Sequence, residues 1–418
     1  MNTPDELDTR IRELVWKLVD TSPAPPPFPR PSPEHNKGKR RVSEPAKGLL
    51  GRLRPRTSRG FVGAIVVAAA ILVVVFVPLP HVNLFKHPVN PTKISPSTGR
   101  STTAPRSSPV VLQGPGLRFG SPTGIAVDGN HVWVTNGSNN SVTEFNASTA
   151  AVIRVVSAPS YGFDFPDAIA VAQNHVWVAN SGPPEMNHSI TELNASTGAL
   201  VRVLSGSRYG FDNTDDIYPD GANLWVANGT NDGATVTELS ASTGAVIRVL
   251  SAARYAFDCP CAIDANGRHL WVANEDGDSL TELNASTGAL IRVLSAPSYP
   301  WLNAPTAIAS YRNQLWVVNY AGNSLTELNA STGALVKLVS ATSYGFAGPC
   351  RLASYRNQLW VVNLSGDTVT ELNAATGALV KVLSAQSYGF NEPDAVAVDG
   401  AHVFVANRFG DSVTEFRV

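Results

Sequence analysis

From residue 110 onward, hydrophobic and polar positions alternate in short runs. Residues 175–179 (HVWVA) and 189–193 (SITEL) read as short strands whose apolar and polar positions alternate in part, joined by a polar loop. Residues 168–171 (AIAV) are small and continuously apolar, as in a strand covered on both faces. A fourth run, from Ala199, alternates apolar residues with Arg202, as an outer strand with one wet face does. Helical repeats would need longer amphipathic stretches at 3.6-residue spacing, and this region contains none.

The four-run unit recurs. An aromatic-Val pair begins at Trp133, Trp177, Trp225, Trp271, Trp316, Trp360 and Phe404, at spacings of 44, 48, 46, 45, 44 and 44 residues. An Asn follows each aromatic three positions later (Asn136, Asn180, Asn228, Asn274, Asn319, Asn363, Asn407), and every copy then carries a Thr-Glu pair. Four antiparallel strands at this period predict propeller blades. The ends predict the closure. The seventh copy stops within its third strand, whereas Val110-Val111-Leu112 aligns with the outer strand of a normal unit at Arg154-Val155-Val156. A seven-bladed, all-β propeller closed by that N-terminal strand removes the free sheet edges.

The residues Trp133-Val134-Thr135-Asn136, then Asn140-Ser141-Val142, the Thr-Gly turn and Pro166 resemble the YVTN family of β-propellers, with kinship to NHL-type repeats. The resemblance covers residues 110–418 and implies a fold that mostly serves as a binding surface and only sometimes as an enzyme. Streptogramin lyases are similar seven-bladed proteins. That likeness implies the alternative of an extracytoplasmic lyase or hydrolase working through carboxylates at the channel mouth. Lyases of that kind use His, Glu and a metal, whereas the corresponding strand ends here carry Asn and the predicted funnel has Asp without His.

The first 109 residues follow another pattern. Residues 61–77 (FVGAIVVAAAILVVVFV) hold no polar side chain; as a helix they extend ~26 Å, near the short end of what crosses a ~30 Å hydrocarbon core. Six basic residues precede this run within 41–60 and two follow it within 78–97. The bias predicts an uncleaved single-pass anchor, with residues 1–60 cytoplasmic, 61–79 transmembrane, 80–109 a Ser/Thr/Pro-rich stalk and the propeller outside. Thr3-Pro4-Asp5-Glu6 caps a short helix with an apolar stripe at Leu7, Ile11, Leu14 and Leu18, followed by Pro-rich and basic segments. The basic run suits anionic membrane lipid.

Charge divides at the same place. Residues 1–109 carry 17 basic and 7 acidic side chains and residues 110–418 carry 15 and 26, so net charges of +10 and −11 combine to −1. An acidic body argues against nucleic acid as a partner. Three cysteines exclude a disulfide scaffold, and Cys259, Cys261 and Cys350 are expected as free thiols rather than a metal site.

Chemistry is expected where the repeat breaks. At the start of the inner strands one repeat position reads Thr123, Asp167, Asp215, Cys261, Thr306, Cys350 and Asp394. The next is Gly or Ala except for Asp216 and Arg351. Asp167, Asp215, Asp216, Arg351, Asp394, Thr123 and Thr306 are therefore the candidate ligand-binding residues, beside longer loops in the second and third blades. The Trp series is expected between sheets, the Thr-Glu carboxylates in solvent, and His131, His175, His269 and His402 in turns. These features predict a non-catalytic module for an extracellular small molecule, cell-wall component or protein, with no cofactor.

Overall fold

The computed structural model describes residues 109–182, 188–229, 233–251 and 253–417. The segments expected to be cytoplasmic, transmembrane and stalk, through residue 108, lie outside the described residues, as do residues 183–187 of the second blade's long loop and 230–232 of the third's. Among the described residues no helix is long and apolar enough to cross a membrane.

The described strands form seven four-stranded antiparallel sheets. In the first blade these are Pro122–Asp128, His131–Asn136, Ser141–Asn146 and Val152–Val156, from the central channel outward. The last blade combines Pro393–Asp399, His402–Asn407 and Ser412–Arg417 with Val110–Leu112. Val111 stands opposite Thr414, the closure expected from the sequence.

The Trp side chains are fully buried between sheets: Trp133 packs with Val176 and Val178 of the next blade, and Trp225 with Leu270 and Val272. Each repeated Asn begins the loop between second and third strands as expected. Asn136 Nδ2, for example, donates to Ser141 Oγ and Thr143 Oγ1, both at 3.1 Å. Five Tyr rings of the connecting loops stack on the Phe two residues later, among them Tyr255 on Phe257.

Two expectations need correction. The Thr-Glu carboxylates are buried, not solvated. Register places Glu144 opposite Trp133 on one side and Arg154 on the other, so the charge is neutralised in place. Arg154 Nε lies 2.8 Å from Glu144 Oε2, and its Nη2 donates to Ser196 O of the next blade at 3.1 Å. The His residues are not turn spacers either. His131 Nδ1 lies 2.6 Å from Glu144 Oε1 and His402 Nδ1 2.8 Å from Glu415, while Asn223 donates to Glu238 where His is replaced. In the first four blades and the sixth the set ties three strands together, and in the first five the outer Arg or Lys donates to a backbone carbonyl of the next blade.

A second repeated tie organises the channel mouth. The residue before each inner strand (Ser121, Phe165, Asn213, Cys259, Ala304, Gly348, Glu392) has a positive φ of 45–58°. Only Gly348 occupies that region without steric cost. Hydrogen bonds hold the others there. Phe165 N–H donates to Asn140 Oδ1 of the preceding blade at 2.8 Å, and Phe165 O accepts from Ser181 N–H. The same clamp joins the ends of the ring, where Ser121 N–H donates to Asp411 Oδ1 at 2.8 Å. In the second blade His188 takes the clamp position, accepting from Asn213 N–H at 2.8 Å through Nδ1.

Candidate functional site

Immediately after the clamp every inner strand carries a β-bulge, seen as register shifts at Pro166/Ile169, Thr214/Asp216 and Pro349/Arg351. A bulge inserts an extra residue and re-aims the side chains beside it. It is the local reason that two successive positions, normally on opposite faces, both matter at the mouth.

The seven candidates fall into two groups by side-chain chemistry. Thr123 spends its hydroxyl between blades, donating to Pro166 O at 2.9 Å and lying 3.1 Å from Thr135 Oγ1. Cys261 and Cys350 occupy the same kind of place, with Sγ directed at Pro305 O (3.3 Å) and Pro393 O (3.8 Å). All three cysteines are free, and burial pushes the Cys259 and Cys350 thiols up to about 12, so neither supplies a thiolate. Thr306 is buried, and Arg351 Nη1 lies 3.5 Å from its carbonyl.

The charged candidates converge on the channel. Asp167, Asp215, Asp216 and Arg351 line one cavity of about 170 Å³; Asp216 and Arg351 also line an adjoining cavity of about 280 Å³, together with Thr306. Asp216 accepts from Ile217 N–H (2.9 Å) and from Ile263 N–H of the next blade (2.8 Å). Asp215 accepts from Asn213 Nδ2 at 3.1 Å. Asp394 lies 3.9 Å from Arg408.

Desolvation dominates the electrostatics. Burial pushes the Asp167 carboxyl up to about 6; Asp394 adds to the rise, while Arg351 and Arg408 oppose it. Asp215 is driven well above the usual carboxylate range, first by burial and then by Asp167. Asp216 and Asp394 are raised by burial and partly restored by Arg351 and, for Asp216, the Ile263 N–H. Burial works against the Arg351 guanidinium, yet the carboxylates around it, Asp394 foremost, hold it protonated. Carboxylates outnumber guanidinium groups, so the mouth favours a cationic or hydrogen-bond-donating ligand. Among the described residues no cluster of His, Cys, Asp and Glu is arranged to hold a metal ion.

Some channel residues escape a reading confined to the first two strand positions. Glu275 and Arg408 follow the repeated Asn, where other blades carry Gly, Ser, Tyr or Leu. Tyr218 and Asp264 break a run of Ala further along the inner strands. All four are departures from the repeat in those columns. A larger cleft of about 600 Å³ lies between the third and fourth blades, but Asp258 is the one titratable residue lining it.

Fold and channel together define an all-β, seven-bladed propeller. The NHL repeat family matches residues 119–145, in the first blade. No curated protein matches the sequence. Among solved structures the chain is similar to a streptogramin B lyase (TM-score 0.59, 16% identity, covering 73% of this chain and 96% of that one). It is also similar to a hydrazine synthase from Kuenenia stuttgartiensis (TM-score 0.59, 17% identity, 77% and 99% covered). A computationally designed protein, Ika8, is a third (TM-score 0.51, 16% identity, 74% and 98% covered). At these identities the likeness establishes the fold alone.

Proposed function

We propose that the protein is a membrane-anchored extracytoplasmic propeller acting as a non-catalytic binding module, with its ligand or partner engaged at the channel mouth. One observation carries the binding reading: side chains that depart from a sevenfold repeat, Asp167, Asp215, Asp216 and Arg351, come together on connected cavities. The carboxylates of Asp215 and Asp216 are engaged by amide donors, and no imidazole lines these cavities to act as a base. A lyase role, suggested by the similarity to a streptogramin B lyase, would fall to Asp167, a mouth carboxylate pushed up to about 6.

The membrane placement rests on the apolar run 61–77 and its basic N-terminal flank, which also suits anionic lipid. Protease added to intact cells should release the propeller by cutting within 80–109; protection until the membrane is opened would reverse the topology. For the ligand, full-length protein in detergent is screened by thermal shift against metals, sugars and cell-wall fragments. Saturation at 100 times Kd stabilises by about 2.7 kcal/mol. A ligand of the mouth loses its shift in Arg351→Met and Asp216→Asn. Turnover that disappears in Asp167→Asn while binding persists would instead support the lyase.

A further inference from the structure

Below the mouth the repeat is broken again. The fifth position of the inner strand is Ala126, Ala170, Ala309, Ala353 and Ala397 in five blades, but Tyr218 in the third and Asp264 in the fourth. The following position becomes Ser310 and Ser354 in the fifth and sixth blades. These four residues, from neighbouring blades, line the 280 Å³ cavity together with Ile308, Leu352 and several alanines. Small side chains around the polar ones leave the space open.

Several of the polar groups in this chamber lack partners. Asp264 Oδ2 and Ser310 Oγ are buried, and no well-aligned hydrogen bond reaches either. The Thr306 hydroxyl, on a residue 6% exposed, is likewise buried and unpartnered at the other end of the same cavity. Four residues along a strand separate Thr306 from Ser310, about 13 Å at 3.3 Å per residue. Buried acceptors left open are costly, and a carboxylate costs more than a hydroxyl. Burial pushes the Asp264 carboxyl up to about 6, offset in part by the polar groups of Ser310, Ala265 and Tyr218 around it. No Lys, Arg or His lines this cavity except Arg351, which stands at the mouth end.

We propose that this lower chamber is a binding site for a small primary amine. Its ammonium group sits against Asp264 and Ser310, and its aliphatic body lies along Ile308 and Leu352 toward the Thr306 end. An ammonium group brings three donors and no acceptor to a place whose open atoms, one carboxylate oxygen and two hydroxyls, can all accept. Its positive charge compensates Asp264, a buried carboxylate with no ion pair among the described residues. The inference rests on the binding-module reading and names the ligand class for one end of the channel.

The test uses full-length protein in detergent at pH 7.5, titrated calorimetrically with 5-amino-1-pentanol and with 1,5-pentanediol, which has the same length and no charge. The amine binds and the diol does not. Asp264→Asn weakens the amine at least about tenfold, the scale of a charge-assisted hydrogen bond, and Ser310→Ala weakens it less. Affinity in the wild type falls as pH drops through about 6, where Asp264 takes up its proton. Thermal melting of Asp264→Asn and Ser310→Ala confirms that both variants fold. Equal binding of the diol, or amine affinity within twofold of wild type in folded Asp264→Asn, overturns the proposal. If Asp216→Asn and Arg351→Met lose the amine while Asp264→Asn keeps it, the chamber assignment fails but binding at the mouth stands. No amine binding to the wild type overturns the chamber alone, because the mouth is tested by its own ligand screen.

Discussion

The buried Glu of each blade shows how one residue can be both a liability and a tie. Glu192 is fully buried, 2.7 Å from Arg202 Nε and 2.7 Å from His175 Nδ1. Burial raises its carboxyl above the usual range, with Arg202 and His175 pulling it back. The ion pairs therefore offset a desolvation cost rather than add a large surplus. Removing the carboxylate alone leaves its partners without compensation. Glu192→Ala should cost about 3–5 kcal/mol in urea unfolding of the propeller, by analogy with broken buried pairs. Glu192→Gln, which keeps an acceptor for Arg202, should cost less than half as much. Equal losses in the two variants would mean that side-chain volume, not the paired acceptor, supports the blade.

At the scale of the element, ring closure depends on the short strand Val110–Leu112 and the Asp411–Ser121 clamp. Leu112 is buried among Phe145, Phe404 and Val413. Leu112→Ala should destabilise by about 2–5 kcal/mol. Its signature should be local, with faster hydrogen exchange in 412–417 than in the equivalent strand 141–146 of the first blade. Uniform exchange changes in both strands would show that the last blade does not open on its own. This closing strand was legible in the sequence because an aligned strand at one end matched a missing one at the other. Blade number and strand order were legible for the same reason: a period-two pattern repeated seven times. The Glu ties were not. Alternation tells that a side chain leaves the core face of its own sheet, but not that the neighbouring blade covers that face. The clamp residues escaped for a different reason. Positive φ at Phe165 or Glu392 has no signal in residue type and follows only from hydrogen bonds supplied by the preceding blade. The charged mouth residues were legible as departures from the repeat, whereas the inter-blade bond that occupies the Thr123 hydroxyl required coordinates.

For the whole molecule, the channel makes stability depend on pH in a direction opposite to that of a protein held by exposed salt bridges. Asp167 and Asp264 are pushed up to about 6 in the fold, and Asp215, Asp216 and Asp394 are displaced the same way. Unfolded, each returns to about 3.9. The folded state thus binds protons more tightly than the unfolded chain. Its contribution from these groups is fully present below pH ~4 and is lost as pH rises through about 6. Melting temperature, measured as the difference between variant and wild type from pH 4.5 to 8, isolates the effect from other titrating groups. Asp264→Asn should match wild type near pH 4.5 and melt several degrees higher at pH 8, on the order of 2–4 °C per kcal/mol for a domain of this size. Asp167→Asn should behave alike, with a smaller gain because Arg351 and Arg408 already compensate its charge. A carboxylate retained for folding would give the reverse, a variant that melts lower as pH rises. Stabilisation on neutralising Asp264 would mean that the native chain carries an unpaired charge at a cost to its own fold, as sites kept for binding do.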